Sequence, residues 1–99
     1  MAKWLSLLGL AARARKLVTG EELVLTEVRR SSAKLVLVAQ DGSDQTKKRI
    51  MNKCEYYNIP IRLVSNRVEL GQSIGKPERV VVAVMDGGFA KKLIAQIDE

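Results

Sequence analysis

Two short aliphatic runs constrain the fold of this chain more than any other feature. Residues 34–39 read Lys-Leu-Val-Leu-Val-Ala, and residues 80–84 read Val-Val-Val-Ala-Val. A strand that is apolar at nearly every position must be covered on both faces, because alternate side chains point to opposite sides of the sheet. The two runs therefore predict strands inside a sheet that carries helices on both faces.

Segments with helical periodicity alternate with these strands. The spacing of apolar residues predicts helices over residues 3–16, 21–31, 44–57 and 89–97, and a short helix that begins at Ser65 or Asn66 and ends near Gly71 or Gly75. Further strands are expected at residues 17–18 and 61–64, and the second aliphatic run lies in a strand over residues 79–85. A 99-residue chain of this pattern predicts one α/β domain of three layers, residues 1–99.

Each of the first three helices has an apolar face. The faces comprise Trp4, Leu7, Leu8, Ala11 and Ala12 in the first helix, Leu23, Val24 and Val28 in the second, and Ile50, Cys54 and Tyr57 in the third. Thr19 or Gly20 is the expected cap of the second helix, and Asp41 and Asp44 are interpreted as acids that cap the start of the third. Cys54 is expected to be a buried apolar side chain.

The composition argues against an enzyme. The chain has 17 Lys and Arg against 11 Asp and Glu, a net charge of +6, with no His and one Cys. The missing His removes the commonest general base and metal ligand, and one Cys allows neither an internal disulfide nor a thiolate cluster. We therefore expect no cofactor and no metal, and a basic domain that binds polyanions.

The sequence also predicts a cytoplasmic protein. Its longest uninterrupted apolar stretch, Val80–Met85, is far shorter than the roughly 20 residues that a membrane-spanning helix needs. The first residues lack the cleavage pattern of a signal peptide. Residues 71–76, Gly-Gln-Ser-Ile-Gly-Lys, resemble a phosphate-binding loop but are one residue short, and Pro77 stands where a magnesium-binding Ser or Thr is needed.

One segment has a pattern that suits nucleic acid. Residues 13–23 read Arg-Ala-Arg-Lys-Leu-Val-Thr-Gly-Glu-Glu-Leu, a basic helix end followed by a glycine turn and a helix start. Free amides at a helix N-terminus hold phosphates, and the cations Arg13, Arg15 and Lys16 would neutralise neighbouring ones. Glu21 and Glu22 oppose simple phosphate binding but could accept hydrogen bonds from base edges. The alternative is an ordinary capped helix.

Several segments together resemble the bacterial YlxQ-type branch of the ribosomal protein L7Ae family. Residues 9–22, Gly-Leu-Ala-Ala-Arg-Ala-Arg-Lys-Leu-Val-Thr-Gly-Glu-Glu, resemble the family's opening, and residues 33–41 resemble its central strand and the loop after it. Similar segments follow in order at residues 59–60, 65–71, 74–75, 80–84 and 88–90. The resemblance covers nearly the whole chain. It implies a three-layer α/β/α sandwich with a four-stranded mixed sheet.

The resemblance also implies binding to kink-turn RNA, a sharply bent RNA with tandem sheared G·A pairs. The family's motif reads Gly-x-Asn-Glu with a Lys three residues further on. Gly20 matches it, whereas Glu22, Leu23 and Thr26 replace the Asn, Glu and Lys. A second implied contact is the loop that packs against an extruded base, here Val64, Ser65, Asn66 and Arg67. The full set of expected RNA contacts is Arg13, Arg15, Lys16, Gly20, Glu21, Glu22, Leu23, Thr26, Arg30 and Val64 to Arg67.

These observations predict a non-catalytic, monomeric protein whose partner is structured RNA, in or near the ribosome. The alternative is a protein-interaction module of the same fold, with the apolar face of Trp4, Leu7 and Leu8 as its contact. Scattered aromatic residues could stack on bases, but packing is the interpretation that we prefer for Trp4, Tyr56, Tyr57 and Phe89.

Overall fold

The computed structural model describes residues 2–99, and they form five helices and four strands. The helices are α1 (Lys3–Arg13), α2 (Glu21–Arg29), α3 (Asp44–Tyr56), α4 (Arg67–Ser73) and α5 (Gly87–Ile97). The strands are β1 (Leu17–Thr19), β2 (Leu35–Ala39), β3 (Ile61–Val64) and β4 (Val81–Val84). Over these residues, no helix has the length and apolar character needed to cross a membrane.

The strands form one mixed sheet in the order β1-β4-β2-β3. β4 is antiparallel to both β1 and β2, whereas β3 is parallel to β2. β1, β2 and β3 therefore begin at one edge of the sheet and end at the other. We call the edge where they begin the Lys34 edge, after the residue that precedes β2, and the edge where they end the Gly20 edge, after the residue that follows β1.

Alternation along β2 divides the core into two halves. Leu35, Leu37 and Ala39 pack with residues of α1, α4 and α5, whereas Val36 and Val38 pack with residues of α2 and α3. All five side chains are buried, as the aliphatic run predicted. The α/β/α sandwich with a four-stranded mixed sheet is confirmed.

Helix boundaries differ from the predicted ones where local geometry stops or starts a helix. α1 ends at Arg13 rather than residue 16, because Arg15 adopts a left-handed φ of 60° and turns the chain into β1. α5 begins two residues earlier than predicted, because the Asp86 carboxylate accepts a hydrogen bond from the Phe89 amide at 2.9 Å. Asn66 rather than Ser65 caps α4, through its bond from the Glu69 amide at 2.8 Å.

The predicted apolar face of α1 is used by the protein itself. Leu5 and Leu8 are its large buried residues, and Trp4 and Leu7 pack, partly buried, against the core half under α1. The face that we considered as a contact for another protein is therefore largely occupied by this protein's own core. Residues 71–76 resemble a phosphate-binding loop only in sequence, and in the structure Gly71 lies within α4.

Cys54 is buried on α3, as predicted, and its environment changes its titration. Burial raises the pKa of the thiol to about 11, from 9.0, because the apolar surroundings disfavour the thiolate. Below pH 9 the thiol is neutral in both the folded and the unfolded chain. As pH rises from 9 towards 11 only the unfolded chain loses this proton, so the stabilisation is lost over that range.

We therefore expect the free energy of unfolding to fall more steeply between pH 9 and 11 in the wild type than in Cys54→Ala. Urea titrations at fixed pH values measure this difference. If the free energy of unfolding falls equally with pH in the two proteins, the raised pKa of the Cys54 thiol is contradicted.

Candidate nucleic-acid interface

The starts of three helices meet at the Gly20 edge. α2 follows Gly20, α3 follows Ser43, and α4 follows Asn66. One shallow depression brings parts of these starts together; it is lined by Gly20, Glu21, Ser43, Thr46, Arg67, Val80 and Val81. The N-terminus of a helix carries partial positive charge and free amides, so this edge presents such groups from two layers of the fold.

Gly20 makes the turn that directs α2 away from the sheet. It caps α2 with φ 98° and ψ 143°, a conformation that is strained for residues with a Cβ. Its amide donates to the Val81 carbonyl at 3.0 Å, and its carbonyl accepts from the Val24 amide at 3.0 Å. The backbone of Gly20 thus ties the end of β1 to β4 and starts α2, which confirms Gly20 rather than Thr19 as the cap.

Arg49 pairs with the two glutamates that follow Gly20, and its single positive charge offsets one of their two negative charges. Its Nη1 donates to Glu21 Oε2 at 2.7 Å and to Glu22 Oε1 at 2.9 Å, while Thr46 Oγ1 donates to Glu21 Oε1 at 3.0 Å. These hydrogen bonds, that of Glu22 most strongly, raise the pKa of Arg49. Arg49 is absent from the contacts expected from the sequence, because nothing in a single sequence shows that α2 and α3 lie side by side.

Arg67 is held by Asp41, from the loop after β2. The Arg67 amide donates to Asp41 Oδ1 at 2.9 Å, and its Nη2 donates to the Asp41 carbonyl at 2.6 Å. Asp41 therefore caps an amide of α4, and its assignment as a cap of α3 is wrong. Ser43 caps α3 instead, by accepting from the Thr46 amide at 3.1 Å.

The loop between β3 and α4 lies at the Gly20 edge. Val64 is buried and ends β3 beside Ala39. Ser65 adopts a left-handed φ of 44°, and its hydroxyl bonds the Glu69 carboxylate. This strained turn sets the direction in which α4 and Arg67 leave the sheet.

Leu23 lies on the outer face of α2, so its assignment to the apolar core face is wrong. The buried stripe of α2 consists of Val24, Leu25 and Val28, and Leu23 projects to solvent with 63% of its surface exposed. Thr26 lies one turn further along, and its hydroxyl donates to the Glu22 carbonyl at 3.1 Å. The exposed face of α2 thus offers a large apolar side chain beside a carboxylate that is paired with Arg49.

The predicted contact residues do not all meet at one edge. Lys16 precedes β1 and Gly20 follows it, so about 13 Å of extended chain separates them. Arg15 lies beside Lys16, and Arg30 lies at the far end of α2. Arg13 lines a separate depression with Gln72 and Gly75. The structure therefore places Gly20, Glu21 and Arg67 together, and Arg15, Lys16 and Arg30 at the opposite edge.

Comparison with protein families identifies the relationship. The model of the ribosomal protein L7Ae/L30e/S12e/Gadd45 family matches residues 2–94. The chain belongs to this family. Membership of the L7Ae family agrees with the resemblance seen in the sequence and with the sandwich described above.

Relatives of this L7Ae family chain extend over its whole length. It is 55% identical over 96 residues to the RNA-binding protein YlxQ of Bacillus subtilis, covering 97% of this chain and 96% of that one. A solved structure of a protein of unknown function from Bacillus halodurans C is 55% identical, covers 100% of both chains and superposes with a TM-score of 0.98. The 15.5kD RNA binding protein of Giardia lamblia shares the fold at 20% identity, with a TM-score of 0.81 over 95% of this chain and 83% of that one.

Proposed function

We propose that this chain is a non-catalytic RNA-binding protein that recognises kink-turn RNA with its Gly20 edge and the outer face of α2. The observation that carries the proposal is the Gly20 turn, which starts α2 at the sheet edge and leaves Leu23 exposed on its first turn. The family membership and the RNA-binding name of the Bacillus subtilis relative support the same function.

The Gly20 edge suits a bent RNA because it combines two kinds of contact. Phosphates would approach the helix starts, where free amides and the dipoles of α2 and α3 favour negative charge. Base edges would meet Glu22, whose carboxylate has one oxygen on Arg49 and a second, Oε2, that can accept from guanine imino and amino groups. Leu23 would cover an unstacked base or a ribose, which a straight duplex does not offer.

Arg49 has a positioning role in this proposal. Without it, Glu21 and Glu22 would present two uncompensated carboxylates where phosphates arrive. Water screens charges strongly at an exposed site, so the effect is modest, and Arg49→Gln is expected to weaken RNA binding about fivefold. Arg62→Gln is the matched control, since Arg62 also pairs with a carboxylate, Asp98 at 2.8 Å, but away from the Gly20 edge.

The experiment that tests the proposal compares two RNAs of equal length, a kink-turn duplex and a straight duplex, by fluorescence anisotropy at fixed salt. We expect tighter binding to the kinked RNA, and a loss confined to Arg49→Gln rather than Arg62→Gln. Equal affinity of the wild-type protein for the two RNAs would rule out kink-turn recognition.

A further inference from the structure

We propose that the Lys34 edge is a second RNA-binding surface, which holds the phosphates of an RNA segment other than the one bound at the Gly20 edge. The proposal rests on RNA binding as the proposed function and adds a second contact to it. Its residues are Arg15, Lys16, Arg29, Arg30 and Lys34, all of which are exposed.

The backbone fixes two of these cations on either side of β4. The Met85 amide donates to the Lys16 carbonyl at 2.7 Å, and the Lys34 amide donates to the Val84 carbonyl at 2.8 Å. Adjacent strands lie about 4.8 Å apart, so the backbones of Lys16 and Lys34 are about 10 Å apart across β4. The sheet therefore holds two lysines at one edge at a fixed spacing.

The end of α2 adds two arginines to the same edge. α2 starts at the Gly20 edge, and its nine residues rise about 13 Å, which returns Arg29 and Arg30 to the level of Lys34. Two bonds close the connection: the Ser31 amide donates to the Val28 carbonyl at 2.9 Å, and the Ser32 amide to the Glu27 carbonyl at 3.0 Å. The left-handed turn at Arg15, φ 60°, brings a fifth cation beside Lys16.

The cations at the two edges differ in how far they are paired with carboxylates. At the Gly20 edge, Arg49 and Arg67 are paired with carboxylates at 2.7 to 3.4 Å. At the Lys34 edge, Arg30 lies 3.6 Å from Glu27, but over residues 2–99 no carboxylate lies within 4.0 Å of the nitrogens of the other four side chains. Unpaired positive charge is therefore concentrated at the Lys34 edge, away from the Gly20 edge that we propose as the contact for kinked RNA.

The two edges can act separately. β2 spans five residues, so its ends are about 13 Å apart and the flanking side chains lie further apart still. Charges are screened over about 8 Å at physiological salt, so cations at one edge add little to the field at the other. Flexible cations without fixed partners suit phosphates, which carry no sequence information, so this surface would bind RNA backbone of any sequence.

Charge reversal at this edge tests the inference. The variant is Lys16→Glu with Lys34→Glu, and the control is Lys3→Glu with Lys91→Glu, which makes the same change of net charge at exposed positions of α1 and α5. The protein is first saturated with an unlabelled kink-turn RNA, and a fluorescent straight duplex is then added in a native gel. We expect the wild type and the control to form a complex that contains both RNAs, and the variant to need about tenfold more duplex.

The salt dependence gives a second readout. The slope of log affinity against log salt for the straight duplex should fall by about two in the variant, one for each phosphate that a lysine no longer neutralises. Its affinity for the kink-turn RNA, measured at one salt concentration, should match that of the wild type. A wild-type protein that forms no complex with both RNAs, or a variant that behaves as the control does, would overturn the inference. Absence of any preference for kinked RNA in the wild type would instead overturn the proposed function.

Discussion

Leu23→Asp is expected to weaken binding of a kink-turn RNA by about 10- to 100-fold while leaving the free energy of unfolding unchanged. Leu23 is 63% exposed and outside the buried stripe of α2, so the core does not depend on it. Covering a leucine contributes about 1.5–3 kcal/mol, which corresponds to this loss of affinity. The new carboxylate lies in the first turn of α2, where the dipole favours it in the free protein, but it would repel phosphate in the complex.

Leu10→Asp is the matched control for Leu23→Asp. Leu10 is a large apolar residue with 51% of its surface exposed, and it lies on α1, on the opposite face of the sheet. Anisotropy titrations with the kinked RNA measure the affinity, and urea unfolding measures the free energy of unfolding, for the wild type, Leu23→Asp and Leu10→Asp. If both variants lose affinity to the same degree, the effect is one of charge alone and the outer face of α2 is not the contact.

Gly71→Ala is expected to lower the free energy of unfolding by about 1–3 kcal/mol or more, as overpacking does in a core. A Cβ added at Gly71 would lie 2.4 Å from the Glu78 Cα and 2.6 Å from its carbonyl carbon. These are backbone atoms, so relief requires α4 or the segment after it to move. That segment carries Arg79, whose amide donates to the Arg67 carbonyl at 2.9 Å and whose Nε donates to Thr19 Oγ1 at 3.2 Å.

Gly87→Ala separates the steric effect from the general effect of replacing glycine. Gly87 is also helical, in the first turn of α5, but an added Cβ would meet nothing within 4 Å. Alanine in a helix is favoured over glycine, so this variant should be as stable as the wild type or slightly more stable. Urea unfolding measures both variants. Equal urea midpoints for Gly71→Ala and Gly87→Ala would contradict this prediction. They would show that α4 can shift away from the backbone of Glu78 without loss of stability.

The layers of the fold could be predicted from the sequence, because a strand that is buried on both faces is apolar at nearly every position. The runs at residues 34–39 and 80–84 predict interior strands, and each contains one. Strand order could not be read in the same way, because the pairing of β4 with both β1 and β2 depends on contacts between distant parts of the chain. The mixed sheet was predictable only through the family resemblance.

The candidate site was less predictable than the fold. The Gly20 turn was visible because glycine before two acids and an apolar run is a local signal. The pairing of Arg49 with Glu21 and Glu22 and that of Arg67 with Asp41 join separate elements, so no local pattern contains them. The basic residues before β1 looked continuous with Gly20 in the sequence, and only the direction of the strand shows that they lie at the other edge.

The place of β4 in the sheet has a consequence for synthesis of the protein. Within residues 2–99, β4 is the last strand in chain order, yet it lies between β1 and β2 and forms the only strand pairing of β1. A nascent chain that ends before residue 81 therefore has β2 and β3 available to pair, while β1 and the turn at Gly20 lack the carbonyl of Val81 that fixes them. The turn at Gly20 is thus completed only when β4 has left the ribosome, so the RNA binding that we propose for this turn would begin only after β4 has been made.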